Sequence, residues 1–116
     1  MHIVIPGRPI PAVRMTQKTL WKKSARRYLA YKEMIGIIAK PWCEIPTSEK
    51  VSVKVTVYLS GVTTPMGNDG DCDNYLKSAL DGCNKIVYVD DRQVTWAQVS
   101  KVPCHKDDQR MEIEIV

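Results

Sequence analysis

Between Val51 and Leu59 the chain alternates without a break. Val51, Val53, Val55, Val57 and Leu59 are separated by Ser52, Lys54, Thr56 and Tyr58. A period of two means a strand, here over residues 50–60, with one buried face and one open face. Upstream, Tyr28, Tyr31, Ile35, Ile38 and Ala39 recur at spacings of three and four. That spacing predicts a helix with one apolar stripe, opened by Ser24 as N-cap and stopped by Pro41. Downstream, Cys72, Leu76, Ala79, Leu80 and Cys83 form a second stripe. It predicts a helix that starts at Asp71 or Cys72, ends at Asn84 and buries both cysteines. Ile3 and Ile5 mark a short first strand, and Met111, Ile113 and Ile115 a last one. Residues 93–102 read as a strand with poor alternation. Prolines 6, 9 and 11, residues 61–70 and residues 103–109 read as loops. The order is β-α-β-α-β-β. It predicts a single α+β domain over 1–116 with a mixed or antiparallel sheet. The last two strands pair as a hairpin, and both helices pack on one face.

Charge sharpens this picture. Residues 1–54 hold 11 Lys/Arg against 3 Asp/Glu, whereas residues 55–116 hold 6 against 10. A basic half beside an acidic half suits a protein that grips a polyanion and keeps carboxylates for a metal; an uneven but inert surface is the plainer account. The exposed candidates for phosphate contact are Arg8, Arg14, Lys22, Lys23, Arg26 and Arg27. Trp21 lies among them and fits either of two roles, stacking on a base or packing into the domain; the second is the expectation. The four cysteines, Cys43, Cys72, Cys83 and Cys104, form no C-x-x-C pair, so neither a zinc site nor a redox motif is indicated. No apolar stretch approaches a membrane span, and prolines interrupt the N-terminus where a signal peptide would run. The expectation is an intracellular protein with reduced thiols and no membrane partner. His2 and His105 have no third ligand beside them.

The chemistry concentrates at Asp71-Cys72-Asp73-Asn74-Tyr75-Leu76-Lys77 and Asp90-Asp91. Carboxylates two residues apart suit a hard divalent cation, which takes oxygen ligands and completes its shell with water and substrate phosphate. The lysine supplies a cation where phosphate charge accumulates. An EF-hand calcium loop is excluded, because its sixth and twelfth positions, glycine and glutamate, are here Asn74 and Leu80. Each group also has a plainer reading. Asp71 fits an N-cap, Asp73 and Lys77 an i, i+4 ion pair, and Asp90-Asp91 a turn.

Taken together, Asp71-x-Asp73-Asn74-x-x-Lys77, an amphipathic helix, an apolar segment, Asp90-Asp91 and a strand ending in Lys101 resemble the RusA family of Holliday junction resolvases. The resemblance implies a homodimeric endonuclease that depends on Mg²⁺, with Mn²⁺ as a substitute, and makes paired cuts in four-way DNA junctions. By position it makes Asp71, Asp73 and Asp91 the essential carboxylates and metal ligands, with Asp90 beside them. Lys77 becomes the essential lysine, and Lys101 joins the DNA contacts. A role in DNA recombination and repair follows; a small resolvase of this type fits a mobile element, and the host, cell or phage, stays open. The pattern departs at one place. Where the family has an arginine run before the first aspartate, this chain has Met66-Gly67-Asn68-Asp69-Gly70, which shifts DNA contact to the basic first half. Two rival functions share these residues: a non-catalytic nucleic-acid-binding module, and a metal-dependent nuclease for flaps or other branched DNA.

Overall fold

The computed structural model describes residues 1–61 and 70–116. Four strands and two helices follow in the order β1 (His2–Pro6), α1 (Lys23–Ala39), β2 (Val51–Leu59), α2 (Cys72–Cys83), β3 (Val94–Pro103) and β4 (Arg110–Ile115). This is the expected β-α-β-α-β-β order in one α+β domain. The part of the expected loop that spans residues 62–69 lies outside the described residues.

The sheet runs β1-β4-β2-β3. β4 is antiparallel to both neighbours, and β2 and β3 are parallel. The expected hairpin of the last two strands is therefore wrong: β2 lies between β3 and β4. Two physical reasons account for this. The chain from β2 to β3 carries a whole helix, the connection that parallel strands require. Apolar content then decides which strand goes inside. Met111, Ile113 and Ile115 of β4 are buried, whereas Thr95, Trp96, Ala97 and Gln98 of β3 are all exposed. The greasier strand takes the interior position and the more polar one becomes an edge.

β2 behaves as its alternation predicts. Its five apolar residues are buried against the helices, while Ser52, Lys54, Thr56 and Tyr58 face the open side. On that side the Arg110 guanidinium sits 3.7 Å from the centre of the Tyr58 ring and donates to Glu112 at 2.8 Å. His2 also reaches Glu112, at 2.7 Å. Burial alone would raise the Glu112 carboxyl, but the bonds from Arg110 and His2 outweigh it and hold the group below its ordinary range.

α1 buries Ala25, Tyr28, Tyr31, Ile35, Gly36 and Ala39, close to the predicted stripe. Ser24 does not cap it. The cap position is Lys22, with no side-chain bond, and Ser24 lies inside the first turn. α2 corrects the sequence more substantially. Its buried face is Tyr75, Ser78, Ala79, Gly82 and Cys83, while Cys72, Leu76 and Leu80 are only partly covered. The cause is the helix–helix contact. A Cβ on Gly82 would stand 2.6 Å from Ile35 Cγ2, so α1 approaches α2 over the glycine and turns the larger apolar residues to the flank.

Candidate active site

Asp71 occupies the N-cap position of α2, but its side chain bonds to no backbone N–H of the helix. Asp73 and Lys77 sit one turn apart on the exposed surface and form no ion pair. Neither plain role, cap or intrahelical pair, is fulfilled. Three charged side chains thus share the head of one helix and make no hydrogen bond or ion pair among the described residues. The backbone beneath them is firmly held. Asn74 O accepts from Ala12 N at 2.9 Å, Ser78 Oγ donates to Ile10 O at 2.6 Å, and Gly70 N donates to the Tyr75 hydroxyl at 3.2 Å. Lys101, at the far end of β3, donates to Gly70 O at 3.2 Å.

The basic residues divide into anchors and free groups. Arg8 donates to Ser60 O at 3.1 Å and to Gln109 Oε1 at 2.6 Å, which pins the first loop to the end of β2. Arg14, Lys22, Lys23, Arg26 and Arg27 are exposed and have no acidic partner among the described residues. Arg8 and Arg27 line a cleft of about 260 Å³ together with Ser24, Gly70 and Tyr75, directly beside Asp71. Cations at the start of α1 oppose its dipole, since no acid lies in its first turn. A bound phosphate would relieve that repulsion. The expectation that Trp21 packs into the domain is wrong: its side chain is 73% exposed.

Asp90 and Asp91 part company. Asp90 is a turn residue. It accepts from Arg92 N at 2.9 Å and from Arg92 Nε at 3.0 Å, and its own N–H donates to Gln93 Oε1 at 2.8 Å. The backbone and side-chain bonds from Arg92 hold its carboxyl below the usual range. Asp91 has one oxygen, Oδ1, that is buried without a partner. Burial pushes its carboxyl up, the Tyr88 hydroxyl pulls it down, and Asp81 and Asp90 push it up again, for a net rise. The Tyr88 hydroxyl also donates to Leu80 O at 2.6 Å.

Asp81 is the neighbour that the sequence reading missed. It accepts a short hydrogen bond from Tyr28, and it lies near enough to Asp91 to raise that carboxyl. Its spacing was the available signal, because Asp73, Lys77 and Asp81 recur every four residues along α2. The same helix measures how far the expected carboxylates lie apart. Eight residues separate Asp73 from Asp81, about 12 Å at the α-helical rise. Asp71 and Asp73 therefore stand at one end of α2 and Asp91 at the other. Among the described residues no three His, Cys, Asp or Glu side chains converge on one point.

The fold is a small α+β domain that brings a carboxylate pair and a lysine to one exposed stretch of α2. A scan against family models matches residues 6–116 to Endodeoxyribonuclease RusA. The chain belongs to that family, whose members are metal-dependent nucleases of branched DNA, and the family implies Holliday junction resolvase activity. No curated protein matches the chain. Among the described residues no helix is long and apolar enough to cross a membrane.

Proposed function

We propose that this protein is a Mg²⁺-dependent endonuclease that resolves four-way DNA junctions by paired cuts, working as a homodimer. The observation that carries the reading is the first half of α2, where Asp71, Asp73 and Lys77 stand exposed on a braced backbone and make no hydrogen bond or ion pair among the described residues. Such a donor set fits a cation that takes one or two carboxylates and leaves room for water and phosphate. A bound Mg²⁺ supplies an acidified water and charge stabilisation for the phosphate. Lys77 has donors only, so it acts on phosphate oxygen and not on the metal. Arg14, Lys22, Lys23, Arg26 and Arg27 hold the flanking phosphates, and Arg8 and Lys101 fix the loop and strand that frame the cleft.

A second copy accounts for the separation of Asp91. Magnesium holds its ligands at about 2.0–2.1 Å, far less than the length of α2. β3 is a ten-residue edge strand that starts beside Asp91 and ends where Lys101 meets Gly70. If a two-fold axis pairs β3 antiparallel with its own copy, Asp91 of the partner subunit arrives at the head of α2. Two equal sites result, as two symmetric cuts require.

The test is cleavage of a synthetic four-way junction by Asp71→Asn, by Asp91→Asn and by an equimolar mixture of the two. Each variant alone should bind the junction but fail to cut. The mixture should recover nicking at roughly a quarter of the wild-type sites, because half of the dimers are mixed and each has one intact site. Uncut junction in every sample, mixture included, would show that both carboxylates serve the same chain's site. Normal cleavage by either variant alone would remove that carboxylate from the chemistry. Parallel assays on duplex and flap substrates separate a resolvase from a general branched-DNA nuclease.

A further inference from the structure

Trp21 sits on the surface where an indole costs most. Tryptophan is on average a strongly buried residue, and this one leaves 73% of its side chain in solvent, with Leu20 beside it also exposed. Its setting is a hydrogen-bonded turn. Thr16 N donates to Thr19 Oγ1 at 2.8 Å, Leu20 N to Thr16 O at 3.0 Å, and Lys22 N to Thr19 O at 3.0 Å. Arg26 N then donates to Lys22 O at 3.2 Å, so the turn runs straight into α1. The side chain is therefore presented on a hydrogen-bonded turn.

Charge says what the turn faces. Lys18, Lys22, Lys23 and Arg26 flank Trp21 in sequence and are all exposed, and the first acidic residue of the chain is Glu33. The other exposed tryptophans differ: Trp42 has Glu44 beside it in sequence, and Trp96 lies on the open face of the sheet. Three residues beyond Trp21, Ser24 lines the cleft whose far wall is Gly70, the residue before Asp71. An exposed aromatic side chain in a run of exposed cations, three residues before the cleft, matches one ligand chemistry, a nucleobase whose flanking phosphates meet the lysines.

We propose that Trp21 is a base-stacking residue, which takes an unstacked base at the branch of the DNA and so favours branched over continuous duplex. This rests on the junction-cleaving reading above. Stacking of one base on an aromatic side chain corresponds to roughly 5- to 150-fold in affinity. The experiment measures binding, in EDTA, of a four-way junction and of a matched duplex to wild type, Trp21→Ala, Trp21→Phe and Trp21→Leu. 2-Aminopurine placed at each branch nucleotide in turn reports stacking. Trp21→Ala and Trp21→Leu should lose junction affinity by that factor, Trp21→Phe should stay near wild type, and duplex affinity should hold in all three. One 2-aminopurine position should be quenched by wild type and by Trp21→Phe alone. Unchanged junction affinity in Trp21→Ala overturns the inference, as does equal loss on duplex, or a Trp21→Leu variant as good as Trp21→Phe. If wild type cuts the junction while Trp21→Ala binds it normally, only the stacking role falls. If wild type shows no preference for branched DNA, the earlier reading falls and this one with it.

Discussion

A carboxylate oxygen that is buried without a partner costs stability, and Asp91 Oδ1 is one. Burial, Asp81 and Asp90 raise the group together, so the folded state favours its protonated form. The sign follows from linkage. Whatever stability this raised carboxyl gives is present at low pH and is lost as pH rises through the folded value. At neutral pH the ionised group is therefore a burden, and Asn, with the same shape and no charge, removes it. We expect metal-free Asp91→Asn to melt above wild type by roughly 1–3 °C at pH 7, less than about 1 kcal/mol because solvent screens part of the charge. The gap should narrow as pH falls through the raised Asp91 value toward the ordinary aspartate range. Calorimetry in EDTA at several pH values checks both points. A variant that is dead in cleavage yet more stable would mark Asp91 as a residue kept for function at a cost to the fold.

At the scale of elements, the contact between α1 and α2 depends on a glycine that looks expendable in sequence. At Gly82 a Cβ would meet Ile35 Cγ2 at 2.6 Å and Ile35 Cβ at 2.7 Å, so Gly82→Ala must push the helices apart. At Gly36 the nearest atom would be Gly82 O at 3.4 Å, which is ordinary contact. Gly82→Ala should thus cost about 1–3 kcal/mol. Gly36→Ala should be neutral or slightly stabilising, since alanine is the better helix former. Urea denaturation of both variants decides it, and equal losses would refute the close approach. The pair also explains what was legible beforehand. The two helices, the alternation of β2 and the apolar positions of β1 and β4 are written in local periodicity, which one sequence carries, whereas β3, with four consecutive exposed residues, shows little of it. The spacing of Asp73 and Lys77, about one helical turn, is legible too, with Asp71 at the N-cap. The true face of α2 was not legible, because Ser78 and Gly82 are buried for reasons that lie on Ile10 and Ile35, far away in the chain. The partnership of Asp81 with Asp91 was hidden likewise, since it needs the parallel course of β2 and β3 to bring the end of α2 to the start of β3.

For the whole molecule, the sheet order β1-β4-β2-β3 gives β4 the central task. It joins β1 to β2, from His2↔Glu114 on one side to Val53↔Ile115 on the other. A fragment of residues 1–109 should show no cooperative melt by circular dichroism, because β1 loses its only strand neighbour and β2 its inner one. A sharp transition in that fragment would mean that β2, α2 and β3 suffice for a core. The same arrangement acts in time as well as in space. The unit from β2 to β3 closes over short separations, but β1 must wait for the last strand of the domain. The bond from the Met1 amine to Ile115 O at 3.0 Å spans 114 positions. Pairings of that range slow refolding relative to a helical bundle, whose contacts are local. Through that interval the inner edge of β2, an alternating run of valines, stands open. Before β4 is in place the chain is therefore more exposed to aggregation through β2 than in the finished fold, where β2 lies inside the sheet.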